Sequence, residues 1–162
     1  RLLDNNGEKL TINIGNNHIR ATTAEYTFSS RLIDGRFPTY DKVIPKDGDK
    51  HVVIDRLALK QTLTRIAILA NEKSRGITLQ LQPGKMLLSA NNPEQEQAEE
   101  EISIEYTGAE LSIGLNVSYL LDILSTAVSD TIIMTFSHQN GSVLIEETDN
   151  DYSVYVVMPM RL

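Results

Sequence analysis

The sequence has no cysteine and no tryptophan. The missing thiols exclude disulfides, thiolate metal sites and cysteine nucleophiles together, a pattern that fits a reducing compartment. No apolar run approaches the length a helix needs to cross a bilayer, so the chain is expected to be soluble, with no membrane partner. Its start, Arg1-Leu2-Leu3-Asp4, has neither an initiator Met nor the layered layout of a signal peptide, which leads to the expectation of a piece cut from a longer chain. Positive charge is in deficit, with 15 basic against 22 acidic residues and a net charge of -7. Tight nucleic-acid binders usually carry the opposite sign, so charge alone argues against DNA.

Motifs for chemistry are equally scarce. His18, His51 and His138 lie on different segments without a partner at metal-ligand spacing, and each reads as a surface histidine. There is no phosphate-binding glycine loop, no GxSxG elbow and no HExxH pair. "EETDND", Glu146 to Asp151, resembles the start of a calcium loop but lacks the required Gly and distal Glu, and reads as a solvated hairpin turn. No cofactor or metal is expected, and nothing supports catalysis. A hydrolase with its acids in the Glu-rich run would still need a base, a nucleophile or a metal.

What the chain does have is alternation. At 162 residues and 41% hydrophobic it has the composition of a globular protein. Leu10 to Ile14, His18 to Thr22 and Tyr26 to Ile33 alternate as a three-strand meander, too small for an independent core and therefore expected to end a domain that begins upstream. "DGRFPTYDKVIPKDGDK", Asp34 to Lys50, has the Pro, Gly and charge content of a connector. Beyond it a pattern is stated twice. The first statement is a strand at His51 to Ile54, a helix capped by Asp55 and running to about Ala70, then strands at Gly76 to Gln82, Lys85 to Ala90 and Glu100 to Tyr106. The second is a strand at Leu111 to Leu115, a helix capped by Asn116 over Val117 to Val128, then strands at Thr131 to Phe136, Ser142 to Glu147 and Tyr152 to Met158. Such halves predict an α+β domain with internal pseudo-symmetry, two helices packed on antiparallel sheets.

Helical spacing gathers Leu59, Leu63, Ile66, Ala67 and Ala70 on one face, and Val117, Leu120, Leu121, Leu124 and Val128 on another. Ile68 and Tyr119 fall among polar positions instead. Singly, such residues are common on protein surfaces and imply nothing. The acidic run "NNPEQEQAEEE", Asn91 to Glu101, reads as a solvated loop entering a strand, or as an acidic edge that selects a basic partner.

Five stretches together resemble the bacterial sliding clamp, the beta subunit of DNA polymerase III: "DGRFPTY" (Asp34 to Tyr40), "AILANEKSRGITL" (Ala67 to Leu79), "ANNPEQEQAEEE" (Ala90 to Glu101), "IGLNVSYLLDIL" (Ile113 to Leu124) and "YVVMPMRL" (Tyr155 to Leu162). The resemblance implies the DNA-clamp fold, with residues 1–40 as the last strands and connector of an incomplete middle domain and 41–162 as a complete third domain. It also implies a cytoplasmic, non-catalytic processivity factor that forms a head-to-tail homodimeric ring, encircles duplex DNA at the replication fork and slides. The charge objection then dissolves, because a tether held by topology gains little from tight phosphate binding.

Residue by residue, the resemblance assigns Lys60, Gln61, Thr64 and Arg65 to the DNA-facing side of the first helix. It assigns Ile68 and Leu69, with Glu94, Glu96, Glu99 and Glu100, to the dimer interface; Gln97 is neutral where a relative can carry Glu. It assigns a pocket for short motifs, a Gln followed by Leu and Phe, to Pro38, Lys42, Val43, Asn116, Tyr119, Ser142, Val156, Met158, Pro159, Met160, Arg161 and Leu162. Its clients would be the polymerase III catalytic subunit, the clamp loader, other polymerases and repair proteins. Lys42 stands where relatives often have Arg, keeping the charge without the planar fork, and Asn140 makes one rim more polar. Periodicity alone leaves open an unrelated regulatory or ligand-binding module of the same architecture.

Overall fold

The computed structural model describes residues 9–35 and 39–161. Pro38 and Leu162 lie outside the described residues, as does the side chain of Lys42. The chain divides into two compact units, residues 1–38 and 39–162. In the first, β1 (Thr11–Ile14), β2 (His18–Thr22) and β3 (Thr27–Arg31) form an antiparallel meander in that order. Its register sets Ile12, Ala21 and Phe28 in one row across the sheet and places Arg20 beside Asn13 and Ser29 on the opposite face. Ile12, Ile14 and Phe28 are exposed.

The second unit opens with a 3-10 turn at Tyr40–Lys42. It then runs through β4 (Lys50–Asp55), α1 (Arg56–Ile66), β5 (Gly76–Gln82), β6 (Lys85–Asn91) and β7 (Gln97–Ser103). The order repeats as β8 (Leu111–Asn116), α2 (Val117–Thr126), β9 (Thr131–Phe136), β10 (Val143–Glu147) and β11 (Asn150–Val157). The two resulting sheets are ordered β7-β6-β5-β8 and β11-β10-β9-β4. Each repeat therefore lends its first strand to the other repeat's sheet: β4 pairs with β9 and β8 pairs with β5, both antiparallel. Neither half can close its sheet alone, which makes the pair one cooperative domain.

Local signals account for the elements. Asp55 caps α1 by accepting from the Ala58 amide at 2.6 Å, and Asn116 caps α2 by accepting from Ser118 and Tyr119 at 2.9 and 3.3 Å. Gly84, at φ 81°, supplies the left-handed residue of the turn between β5 and β6. Leu59, Leu63 and Ile66 from α1 and Val117, Leu120 and Leu124 from α2 are buried in one cluster with the inward rows of both sheets, among them Leu79, Met86, Met134 and Phe136.

Three expectations are corrected. The first helix ends at Ile66 rather than Ala70; the amides of Ile68, Leu69 and Ala70 turn back to carbonyls three residues earlier, tightening the last turn. The strand expected at Glu100 to Tyr106 lies at Gln97–Ser103, because antiparallel pairing with β6 continues through Ala90 opposite Ala98 and draws the glutamates into the strand. Val128, placed on the core stripe of the second helix, is 75% exposed. That helix stops at Thr126 with Ala127 already extended, so Ala127 takes the buried position.

Candidate functional site

The chain end connects the two sheets. After β11 stops at Val157, the Met160 amide donates to the Gly114 carbonyl at 2.8 Å, an isolated antiparallel bridge to β8. Pro159 between them cannot donate a ladder bond, consistent with a strand that stops and re-pairs elsewhere. Gly114 lies two residues before Asn116, so the bridge brings Met160 to the strand that leads into α2. Asn116 also donates to the Ser74 carbonyl at 3.1 Å, fixing the start of α2. Tyr119, one turn on, is 61% exposed, and Met158 is 70% exposed, while Pro159 and Met160 are half-buried. Arg161 is exposed.

A second group assembles beside it. Val43 and Ser142 line one open cleft of about 460 Å³ together with Pro45 and His138. Val156 sits half-buried on β11 opposite Leu144, and Ser142 and Met158 each lie one residue outside the Val143–Val157 pair. Backbone register thus relates Ser142 to the tail, and the bridge relates the tail to Asn116. Asn116, Tyr119, Met158 and Met160 do not line that cleft; Tyr119 and Met158 are exposed outside it, and a methionine and a tyrosine of that kind suit large apolar side chains of a partner.

On α1 the four polar residues do not behave alike. The Thr64 hydroxyl donates back to the Lys60 carbonyl at 2.7 Å. Arg65 makes a two-pronged pair with Glu100, Nε to Oε1 at 2.7 Å and a terminal nitrogen to Oε2 at 2.6 Å, with Thr62 Oγ1 at 3.2 Å. Hydrogen bonding to Arg65 holds the Glu100 carboxyl below the usual glutamate range, against the opposing effect of desolvation. Gln61 is exposed and Lys60 is half-buried.

Beyond α1, Ile68, Leu69, Glu94 and Glu96 share the lining of a groove of about 610 Å³. Ile68 is 77% exposed there, at the turn that ends the helix. Glu96 accepts from the Asn92 amide group at 2.6 Å, which shapes the loop leading into β7. Glu99 is exposed on β7, an edge strand, while Glu100 points to the helix side.

Three residues that sequence reasoning passed over hold the helix pair in place. Arg56 donates to the carbonyls of Ser129 and Leu124 at 2.7 and 3.0 Å, satisfying the end of α2. Arg75, in a left-handed conformation at φ 52°, donates to the Ala67 carbonyl at 3.1 Å and to Ser118 Oγ at 3.3 Å. Glu147, buried, accepts from the amides of Val128 and Ser129 at 2.7 and 2.9 Å. One partial signal was available: a cation at the first position of a helix opposes the dipole there, which marks Arg56 as out of place without saying what it serves.

The doubled unit, with paired helices and exchanged first strands, belongs to the class of DNA polymerase sliding clamps. The chain superposes on the DNA polymerase III subunit beta of Pseudomonas aeruginosa with a TM-score of 0.82 at 54% identity, over 100% of this chain and 44% of that one. It also superposes on a sliding clamp from Bartonella birtlesii solved bound to griselimycin, with a TM-score of 0.80 at 32% identity, over 94% of this chain and 41% of that one. The chain belongs to the DNA polymerase III beta subunit family: the model for the C-terminal domain of that subunit matches residues 41–161 and the model for its central domain matches residues 1–39. The beta sliding clamp of Pseudomonas putida is 55% identical and that of Escherichia coli K12 46% identical over 162 residues, all of this chain. The chain spans 44% of the length of each of these two relatives.

Proposed function

We propose that this chain supplies the third domain, and the end of the middle domain, of a ring-shaped, non-catalytic clamp. The ring encircles duplex DNA in the cytoplasm at the replication fork and tethers the replicative polymerase. In this reading residues 1–40 end the middle domain and 41–162 form the third, a boundary two residues past the division between the two compact units. The observation that carries this reading is the tail, which leaves β11 and bridges Met160 to Gly114 on the strand that leads into α2, with Met158 exposed. A terminal segment with that much apolar side chain exposed makes sense if partners bury it.

The described residues proposed for the client pocket are Val43, Asn116, Tyr119, Ser142, Val156 and Met158 to Arg161. Methionines repack around Leu or Phe rings of different clients, and Pro159 stiffens the backbone between them. Two or three buried client side chains contribute on the order of 1.5 to 3 kcal/mol each before ordering costs, which gives the exchangeable affinity that a shared dock requires. The polymerase III catalytic subunit, the clamp loader, other polymerases and repair proteins would take turns there. Titrating a labelled Gln-Leu-Phe-type peptide tests this. Removing Met160 to Leu162 should weaken binding about tenfold to a hundredfold, and tail-independent binding would overturn the assignment.

The helix face of Lys60, Gln61, Thr64 and Arg65 would look toward DNA, and the groove at Ile68 and Leu69, with Glu94, Glu96, Glu99 and Glu100, would meet a basic, partly apolar surface of a second subunit. Net acidity is compatible with this, since a sliding ring needs little phosphate affinity. In an intact subunit, Ile68 and Leu69 together changed to Ala should shift sedimentation from dimer toward monomer. A dimer that persists at low concentration would refute that interface.

A further inference from the structure

Arg65 lies on the polar face of α1, and Glu100 lies on β7, the outermost strand of its sheet. Within this chain, before any second subunit arrives, Glu100 is met among the described residues by the cation of Arg65. Its register partner on β6 is Leu88, fully buried, and the residues that share its face of β7 are Ala98 and Ile102, both packed against the core. The neighbouring acids, Glu99 and Glu101, belong to the opposite face, where Glu101 pairs with Lys85 at 2.9 Å. Arg65 is therefore the cation that a carboxylate on an apolar strand face depends on. Its planar fork fits the carboxylate with both prongs, and Thr62 takes a further bond from the same terminal nitrogen.

We propose that Arg65 is a positioning residue of the β7 edge: the guanidinium clamps Glu100 and holds the outer strand to α1, rather than serving first as a contact for phosphate. Lys60, elsewhere on α1, enters no ion pair among the described residues and remains a cation available to nucleic acid. The consequence concerns assembly. An edge strand accepts a second strand only if its unpaired backbone groups are held in line, and the clamp supplies that order before a partner arrives. This consequence rests on the reading of β7 as part of the subunit interface; the clamp itself does not.

The direction of the Glu100 titration agrees with this geometry. The Glu100 side chain keeps 29% of its surface in water, so losing Arg65 would let the carboxylate swing outward from Leu88, Ala98 and Ile102 and release the hold of β7 on α1. Repair therefore requires removing the carboxylate, and a role limited to packing by the arginine stem would not be repaired that way.

The test uses this chain, with backbone hydrogen exchange along β7 and the pH titration of the Glu100 carboxylate followed by NMR. Arg65→Gln should speed exchange of the β7 amides that donate to β6 about three- to fivefold, the scale of a partly exposed ion pair. It should also raise the Glu100 midpoint. Arg65→Lys should fall between, and Arg65→Gln combined with Glu100→Leu should return exchange to that of the parent. Lys9→Gln, two residues before β1, should change neither quantity. Unchanged β7 exchange in Arg65→Gln, an unmoved Glu100 midpoint, or failure of the double variant to restore protection would each overturn the proposal. Failure of the Ile68 and Leu69 experiment with success here would remove the assembly role of β7 and leave the clamp standing.

Discussion

Replacing Leu63 with Ala should lower the unfolding free energy of the second unit by about 3 to 4 kcal/mol, read from the urea midpoint at unchanged slope. Leu63 is fully buried on α1, inside the single cluster that both helices and both sheets share. The substitution loses the transfer free energy of the side chain and leaves a cavity that close-packed neighbours on two sheets cannot collapse into. Because β4 and β8 are each hydrogen-bonded into the other repeat's sheet, the loss should appear as one transition, without a separate melting step for either half. A transition that splits in two would contradict that coupling. Leu57→Ala, on the exposed start of the same helix, should cost little by comparison.

Glu147→Ala should destabilise the unit by about 2 to 3 kcal/mol, since a buried carboxylate is lost and two amides lose their acceptor. The Ser129 and Val128 amides are the donors, following directly on the end of α2, and the Asn150 side-chain amide donates to the other oxygen at 3.1 Å. The Ser129 amide foremost, with that of Val128 and the Asn150 side chain, holds the Glu147 carboxyl below the usual glutamate range in spite of desolvation. The sign of the pH effect follows. A carboxyl whose folded pKa lies below its unfolded value contributes its full share of stability above the unfolded value and loses it as the pH falls through the folded one. Urea unfolding at a series of acidic pH values should therefore show the parent losing more stability than Glu147→Ala across that window. Parallel curves would mean that another carboxylate governs the acid limb.

Much of the fold was legible because period and punctuation are local. Asp55 and Asn116 sit where the alternation of a strand gives way to helical spacing, and both are caps in the structure. Ile68 and Tyr119 stood out as apolar residues at polar positions and are among the exposed side chains. The errors fell where local pattern competes with distant pairing. "NNPEQEQAEEE" reads as a solvated loop entering a strand at Glu100, yet β7 begins three residues earlier, at Gln97, because β6 offers a continuous ladder. Val128 fits the helical stripe, but the chain must turn by Ala127 to enter β9.

By itself the sequence determined the doubled strand-helix-strand plan, the absence of thiol chemistry and the apolar tail "YVVMPMRL", all of which follow from spacing or composition within short windows. Tertiary structure alone decided which repeat receives each first strand and that Met160 closes onto Gly114. It alone revealed that Arg56 serves the end of α2, and that Arg65 reaches Glu100, 35 residues away. Those choices depend on which unsatisfied backbone group or charge comes within hydrogen-bond distance after the chain has folded, and no local window contains that information.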